Sequence, residues 1–144
     1  MAAFARFCAW PASERRAVVE AALCLLVVRL ALGLLSFPRA LHLLRIMPGE
    51  GGGGHVDAAA AEAVGRAIAR AATHAPFRAV CLQQAFAALL MLRRRGLAAT
   101  VHLGLTRDSD RGGLAAHAWS RCGPAAVTGV AASEGFVAVA AFAA

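Results

Sequence analysis

The stretch CLQQAFAALLMLRRRG, residues 81–96, decides the fold. Its apolar positions recur at helical spacing, which predicts a helix over residues 82–95 with one face turned inward. The three arginines at 93–95 complement the negative end of a helix dipole, and Gly96 suits the left-handed conformation that ends a helix. The helix is therefore specified at both ends, with Cys81 at its start.

Cys81 is the candidate nucleophile. A thiol in the first turn of a helix faces unpaired amide N–H groups and the positive end of the dipole, which favours thiolate over thiol. A lone Cys at such a position is more often a small buried apolar residue, so a catalytic assignment needs a base within hydrogen-bond reach.

Two alternating segments follow the helix. Residues 99–105 alternate apolar and polar side chains, which predicts a half-buried strand. After a polar loop over residues 106–113, residues 114–121 alternate again and place His117 and Trp119 on one face. The histidine is the candidate general base, and the rival interpretation is a core histidine with both nitrogens satisfied.

The order of helix, strand, loop and strand is the one used by papain-like and transglutaminase-like folds, in which a helix-borne Cys meets a strand-borne His. A Cys that opens a helix, LRRRG that closes it, and AHAW on a later strand resemble the leader-peptide proteases of lasso-peptide biosynthesis, members of the transglutaminase-like superfamily. The matching positions are Cys81, Leu82, Leu89, residues 92–96, Gly104 and residues 116–119. The similarity covers most of the chain and weakens after Gly123.

This resemblance implies an α+β domain in which the nucleophile helix packs on a small antiparallel sheet. It implies a cysteine peptidase that cuts a lasso precursor between leader and core, with Cys81 as nucleophile and His117 as base. Trp119 would shield the pair from water, and Trp119 and Gln84 are the candidate substrate contacts. Two alternatives stay open: a transglutaminase-like acyl transferase, and a non-catalytic scaffold of the same fold.

The third catalytic residue departs from the family's pattern. Relatives carry an Asp shortly after the AHAW strand, and the corresponding residues 127–129 here include no carboxylate. Glu134 is the remaining downstream acid and the candidate third member. A backbone or Thr128 oxygen could accept from the imidazole instead, or the protein could work with a Cys–His dyad.

The expected partners are the precursor peptide, a separate leader-recognition protein and the lasso cyclase, because the chain is too short to carry a fused recognition module. No cofactor and no metal are expected. A zinc site would draw on four residues, Cys81, His102, His117 and Cys122, but structural zinc ligands usually come in close pairs, which these are not. The Gly-rich run near residue 50 lacks the Lys and Ser/Thr of a phosphate-binding loop.

Composition limits the partners and the cellular location that the sequence predicts. The net charge of +7 comes entirely from 15 arginines in a chain that has no Lys, Asn or Tyr. A GC-rich coding bias accounts for that pattern, so no nucleic-acid partner is predicted. Four cysteines without close pairs form no disulfide framework, which favours a cytoplasmic location.

Three segments are expected along the chain: an N-terminal helical region over 1–47, a Gly-rich linker over 48–56 and the catalytic core over 57–144. Ser13 is the expected cap of the first long helix. Residues 17–37 are apolar nearly all round, which leaves open a buried or partner-facing helix, a membrane-surface contact or a membrane span. Pro38 is expected to end or kink this helix.

The other expected elements are a short helix over 39–47, an Asp57-capped helix over 58–73, and strands over 125–130 and 136–142. The last of these strands could be an edge strand that needs cover.

Overall fold

The computed structural model describes all residues from 1 to 144. Five α-helices and five β-strands form one α+β unit, which confirms the expected fold class. In chain order they are α1 (Ala2–Cys8), α2 (Ala12–Leu34), α3 (Phe37–Leu44), β1 (Met47–Pro48), α4 (Ala58–His74), α5 (Cys81–Arg94), β2 (Thr100–Arg107), β3 (Leu114–Cys122), β4 (Ala125–Thr128) and β5 (Val137–Ala143). A 3-10 turn, Ala131–Ser133, lies between β4 and β5.

Helix α5 lies at the centre of the molecule. All residues from 85 to 92 are buried, because α2, α4 and β3 pack around the helix. Phe86 meets Phe142 of β5 edge-on, with ring centroids 5.9 Å apart. The polar residues of the helix are therefore confined to its two ends.

The ends of α5 agree with the sequence prediction. The helix begins at Cys81 and ends at Arg94, and Gly96 follows with φ 67°. The Arg95 guanidinium donates to both carboxylate oxygens of Glu20 on α2, at 3.0 and 2.8 Å. This pair fixes the C-terminal end of α5 against α2.

The sheet is antiparallel throughout, with strand order β1-β5-β2-β3-β4. Strands β2 and β3 pair without interruption from Thr100↔Arg121 to Arg107↔Leu114. Strand β5 lies between β1 and β2, so it is not the edge strand that the sequence left open. The pairing that covers it, with Met47 and Pro48 of β1, was not predicted.

The Gly-rich segment is packed against the sheet, although the sequence indicated a linker over residues 48–56. The N–H of Gly51 donates to Oγ1 of Thr100 at 2.9 Å. His55 forms a bridge with Leu97, and Pro48 belongs to β1. These contacts hold the segment along the beginning of β2.

The N-terminal helices differ from the prediction in their bounds. Helix α2 begins at Ala12 after Pro11, so Ser13 lies inside it and is not its cap. Pro38 lies in the first turn of α3, where a missing N–H costs nothing, and does not kink α2. Asp57 caps α4 as predicted, accepting from the N–H of Ala60 at 3.0 Å.

Two glycines inside helices provide a matched test of the α4–β4 packing. A Cβ added to Gly65 on α4 would lie 2.4 Å from the carbonyl oxygen of Val127, whereas one added to Gly33 on α2 meets nothing within 4 Å. We expect Gly65→Ala to destabilise the fold by about 1–3 kcal/mol because β4 must move away. Gly33→Ala should be neutral or stabilising by about 0.5–1 kcal/mol, since Ala is the better helix former.

Urea unfolding of the two variants and the parent chain measures both effects. Equal unfolding free energies for Gly65→Ala and Gly33→Ala would contradict the close approach of α4 to β4.

Candidate active site

The two faces of β3 have different surroundings. Ala118, Ser120 and Cys122 are buried on the face that meets α5. His117 and Trp119 alternate with them and therefore lie on the opposite face. The predicted sharing of one face by the histidine and the tryptophan is thus present in the structure.

An aromatic stack holds the imidazole of His117. The Trp119 ring lies between His117 and His102, with centroid separations of 6.0 and 5.6 Å. Phe136 also packs against His117, with ring centroids 5.4 Å apart. Trp119 is only 8 % exposed, so it is a fixed surface against which the half-exposed imidazole stacks.

The ring of Trp119 lies over Gly104 of β2, the residue that pairs with His117. A Cβ added to Gly104 would lie 2.6 Å from the indole ring and 3.1 Å from Cβ of Phe136. A glycine inside a strand often marks such a close approach, so the pattern Leu103-Gly104-Leu105 carried a signal for this contact. No sequence pattern predicted that Phe136 would contact His117.

The imidazole has one hydrogen bond. Nε2 of His117 donates to the carbonyl oxygen of Gly129, with the two atoms 2.7 Å apart. A carbonyl oxygen only accepts, so the bond assigns the proton to Nε2 and leaves the lone pair on Nδ1. In this tautomer Nδ1 is the atom that can take a proton from a nucleophile.

Glu134, a backbone oxygen and the Thr128 oxygen were the groups expected as partners of the imidazole, with a Cys–His dyad as the remaining option. The Gly129 carbonyl, a backbone oxygen, is the group that orients His117. Thr128 is buried and its hydroxyl is hydrogen-bonded to the Ser120 hydroxyl at 2.7 Å. Glu134 is exposed, and no hydrogen bond or ion pair joins it to His117. A catalytic role for Glu134 stays a prediction that this geometry does not favour.

Cys81, the predicted nucleophile, lies at the start of α5. Its side chain is half-buried, and no hydrogen bond joins its Sγ to His117. Because α5 packs on the face of β3 opposite to His117, the thiol can reach the imidazole only around the edge of the sheet. Pairing of β3 with β4 ends at Ser120↔Thr128, and Gly129 follows immediately beside His117. The Cys81–His117 pair stays a prediction.

The first turn of α5 offers donors for a developing oxyanion. The cap residue Val80 contributes no side-chain hydrogen bond, and amides at a helix start have no partner within the helix. Gln84, a predicted substrate contact, donates its side-chain amide to the Ala79 carbonyl at 2.8 Å and so steadies the chain before Cys81. The side-chain oxygen of Gln83 is buried without a partner.

The remaining cysteines differ in accessibility. Cys8 is exposed and Cys122 is buried. Burial, followed by the nearby charge of Glu20, raises the pKa of the Cys24 thiol. No group of three or more His, Cys, Asp or Glu side chains could hold a metal ion, so the residues of the zinc alternative do not converge.

Comparison with known families agrees with this architecture. A family model described as the transglutaminase-like superfamily matches residues 24–141. The chain belongs to the transglutaminase-like superfamily. The superfamily region begins within α2 and ends within β5, so it includes the Gly-rich segment and both predicted catalytic residues. Its fold is typical of cysteine-type enzymes, which include peptidases and acyltransferases. No curated protein and no solved structure matched the chain.

Gly129 can be tested with a matched glycine. Both Gly129 and Gly135 have a positive φ, 68° and 81°, which strains any residue with a Cβ. Only Gly129 touches the site: its added Cβ would lie 2.7 Å from the Ala118 oxygen and 3.1 Å from Nε2 of His117, whereas that of Gly135 meets nothing within 4 Å.

We expect Gly129→Ala to displace the carbonyl and release His117 from the Nε2–H tautomer, while Gly135→Ala leaves the tautomer unchanged. Nitrogen-15 chemical shifts of the imidazole, which distinguish the two tautomers, measure this directly. The same mixture of tautomers in both variants would contradict the assignment of Gly129 as the group that orients His117.

Proposed function

We propose that this chain is a cysteine peptidase that removes the leader from a lasso-peptide precursor. The observation that carries the proposal is the hydrogen bond from Nε2 of His117 to the Gly129 carbonyl, because it leaves Nδ1 free as a base. The start of α5 at Cys81 and the resemblance of residues 81–96 and 116–119 to lasso leader proteases supply the nucleophile and the substrate class.

The first chemical step forms an acyl-enzyme. Sγ of Cys81 attacks the carbonyl carbon of the last leader residue while Nδ1 of His117 takes the thiol proton. The oxyanion that forms on the carbonyl accepts from the free N–H groups of Cys81 and Leu82. When the tetrahedral intermediate collapses, the C–N bond breaks and His117 gives its proton to the amine of the core peptide.

The second step is hydrolysis. A water molecule loses a proton to Nδ1 and attacks the thioester carbonyl, and the C–S bond breaks to give the leader's carboxylic acid, which releases its proton to the solvent. The proton returns to Sγ of Cys81, so the protein is regenerated. The freed amine of the core is the group that a separate lasso cyclase would join to a side chain.

Leader recognition is assigned to a separate small protein, as the family resemblance implies. The proposed complex therefore contains the precursor, the recognition protein and this chain, with no cofactor. An acyl transferase would use the same Cys81 thioester and differ only in the second step, where an amine replaces water.

Mass spectrometry of the purified components tests the assignment. With precursor and recognition protein present, we expect free leader and free core from the parent chain. Cys81→Ala should lower the cleavage rate at least about a thousandfold, because the acyl-enzyme cannot form. The control is Cys8→Ala, which removes an exposed thiol on α1 and should leave the rate unchanged.

Cleavage by Cys81→Ala at the parent rate would contradict the nucleophile. A leader that ends in an amide when a primary amine is added would identify acyl transfer instead. If the parent chain leaves the precursor intact in the presence of the recognition protein, the peptidase proposal is wrong.

A further inference from the structure

Helix α2 carries an apolar stripe that no other part of the chain covers. The large exposed side chains of the stripe are Val19, Leu23, Leu26, Val27, Leu30 and Leu34. The stripe runs along most of the helix, from Val19 to Leu34. Contiguous apolar surfaces of this kind usually mark contact with a partner or a membrane.

The packing of α2 decides how it could meet a membrane. By length and composition alone the helix could cross one, a test that core helices also pass. Its opposite side, with Leu25 and Val28, is fully buried in the core. Its Glu20 is bound by Arg95 of α5. A spanning α2 would lose this packing, so only the exposed stripe is available, with the helix parallel to the surface.

The charges around the stripe have one sign. Both carboxylates of α2 are already paired, Glu20 with Arg95 and Glu14 with Arg70 at 2.7 Å. The exposed charged side chains towards the two ends of the stripe are arginines, Arg6, Arg16 and Arg39. In a dimer through this face, two cationic rims would lie against each other, which is unfavourable.

The mid-helix arginine does not interrupt the stripe. The guanidinium of Arg29 lies over the ring of Phe77, 4.7 Å from its centroid. This contact draws the charge to the side of α2 and leaves the line of leucines apolar. Exposed leucines flanked by arginines suit the surface of an anionic membrane, because apolar side chains enter the acyl boundary and cations are attracted to anionic headgroups.

We propose that the α2 stripe docks this protein on an anionic lipid surface. The leucines enter the boundary between headgroups and acyl chains, and the terminal arginines contact lipid phosphates. This proposal is independent of the peptidase assignment, because it concerns a face of α2 that includes neither Cys81 nor His117.

Flotation with lipid vesicles tests the proposal on the full chain. We expect the protein to float with vesicles of phosphatidylcholine containing about one-third phosphatidylglycerol, and to float far less with phosphatidylcholine alone. Raising the salt to about 0.5 M should weaken binding by screening the arginines.

Matched variants separate the stripe from general surface hydrophobicity. Leu23→Ser with Leu26→Ser should lower the bound fraction about tenfold, since both side chains would enter the lipid. The control is Val137→Ser with Val139→Ser, two exposed valines on β5. It should bind like the parent. Arg16→Gln with Arg39→Gln should weaken binding to the anionic vesicles only.

The parent chain remaining in the unbound fraction with anionic vesicles overturns the proposal. Equal binding by the leucine and valine variants also overturns it. Light scattering gives a third outcome that overturns the proposal. If the parent chain is a dimer and the leucine variant is a monomer, a second copy of the chain covers the stripe. Circular dichroism confirms that each variant is folded before the comparison.

Discussion

The burial of α5 on all sides is the constraint on which the rest of the structure depends. Eight consecutive residues, 85–92, lose their contact with water, so helices α2 and α4 and the sheet must surround them. Burying a large apolar side chain contributes about 1.5–3 kcal/mol, so Phe86 and the leucines of this helix contribute substantially to core stability. The polar residues of α5 are at its two ends, which lie nearer the surface than its middle. Cys81, at the start of the helix, is therefore only half-buried.

A backbone carbonyl at the position that orients His117 has a chemical consequence. It fixes the tautomer as well as a carboxylate would, because both accept from Nε2–H. It carries no net charge, however, and hydrogen bonds to ionised groups are about twice as strong as neutral ones. In the proposed acylation, an imidazolium at His117 would therefore be stabilised less by Gly129 than by an aspartate. The structure keeps the group that orients the imidazole and lacks the negative charge beside it.

The sequence predicted the elements that local patterns determine. The helical spacing after Cys81, the alternation around His117 and the cap at Asp57 each depend on near neighbours, and the structure agrees with them. Contacts between distant residues were not predictable in this way. The pairing of Pro48 with Phe142 and the packing of the Gly-rich segment on β2 join residues far apart in the chain.

The same limit applies to the site. Alternation placed His117 and Trp119 on one face, but it could not show that α5 packs on the other. The sequence allowed a backbone oxygen as the acceptor for the imidazole, but it could not indicate which one. Every residue has a backbone carbonyl, so the residue type at position 129 gave no signal. The structure shows no contact between Cys81 and His117, so a meeting of the two groups stays a prediction.

The rate at which iodoacetamide alkylates Cys81 near neutral pH measures that meeting directly. Cys8 is replaced by Ser for this purpose, Cys122 is buried, and burial raises the pKa of Cys24, which lowers its thiolate fraction. If the imidazole activates the sulfur, His117→Ala slows alkylation of Cys81 while His102→Ala does not. Equal rates in the parent and His117→Ala would show that the two groups do not meet, and would contradict the account.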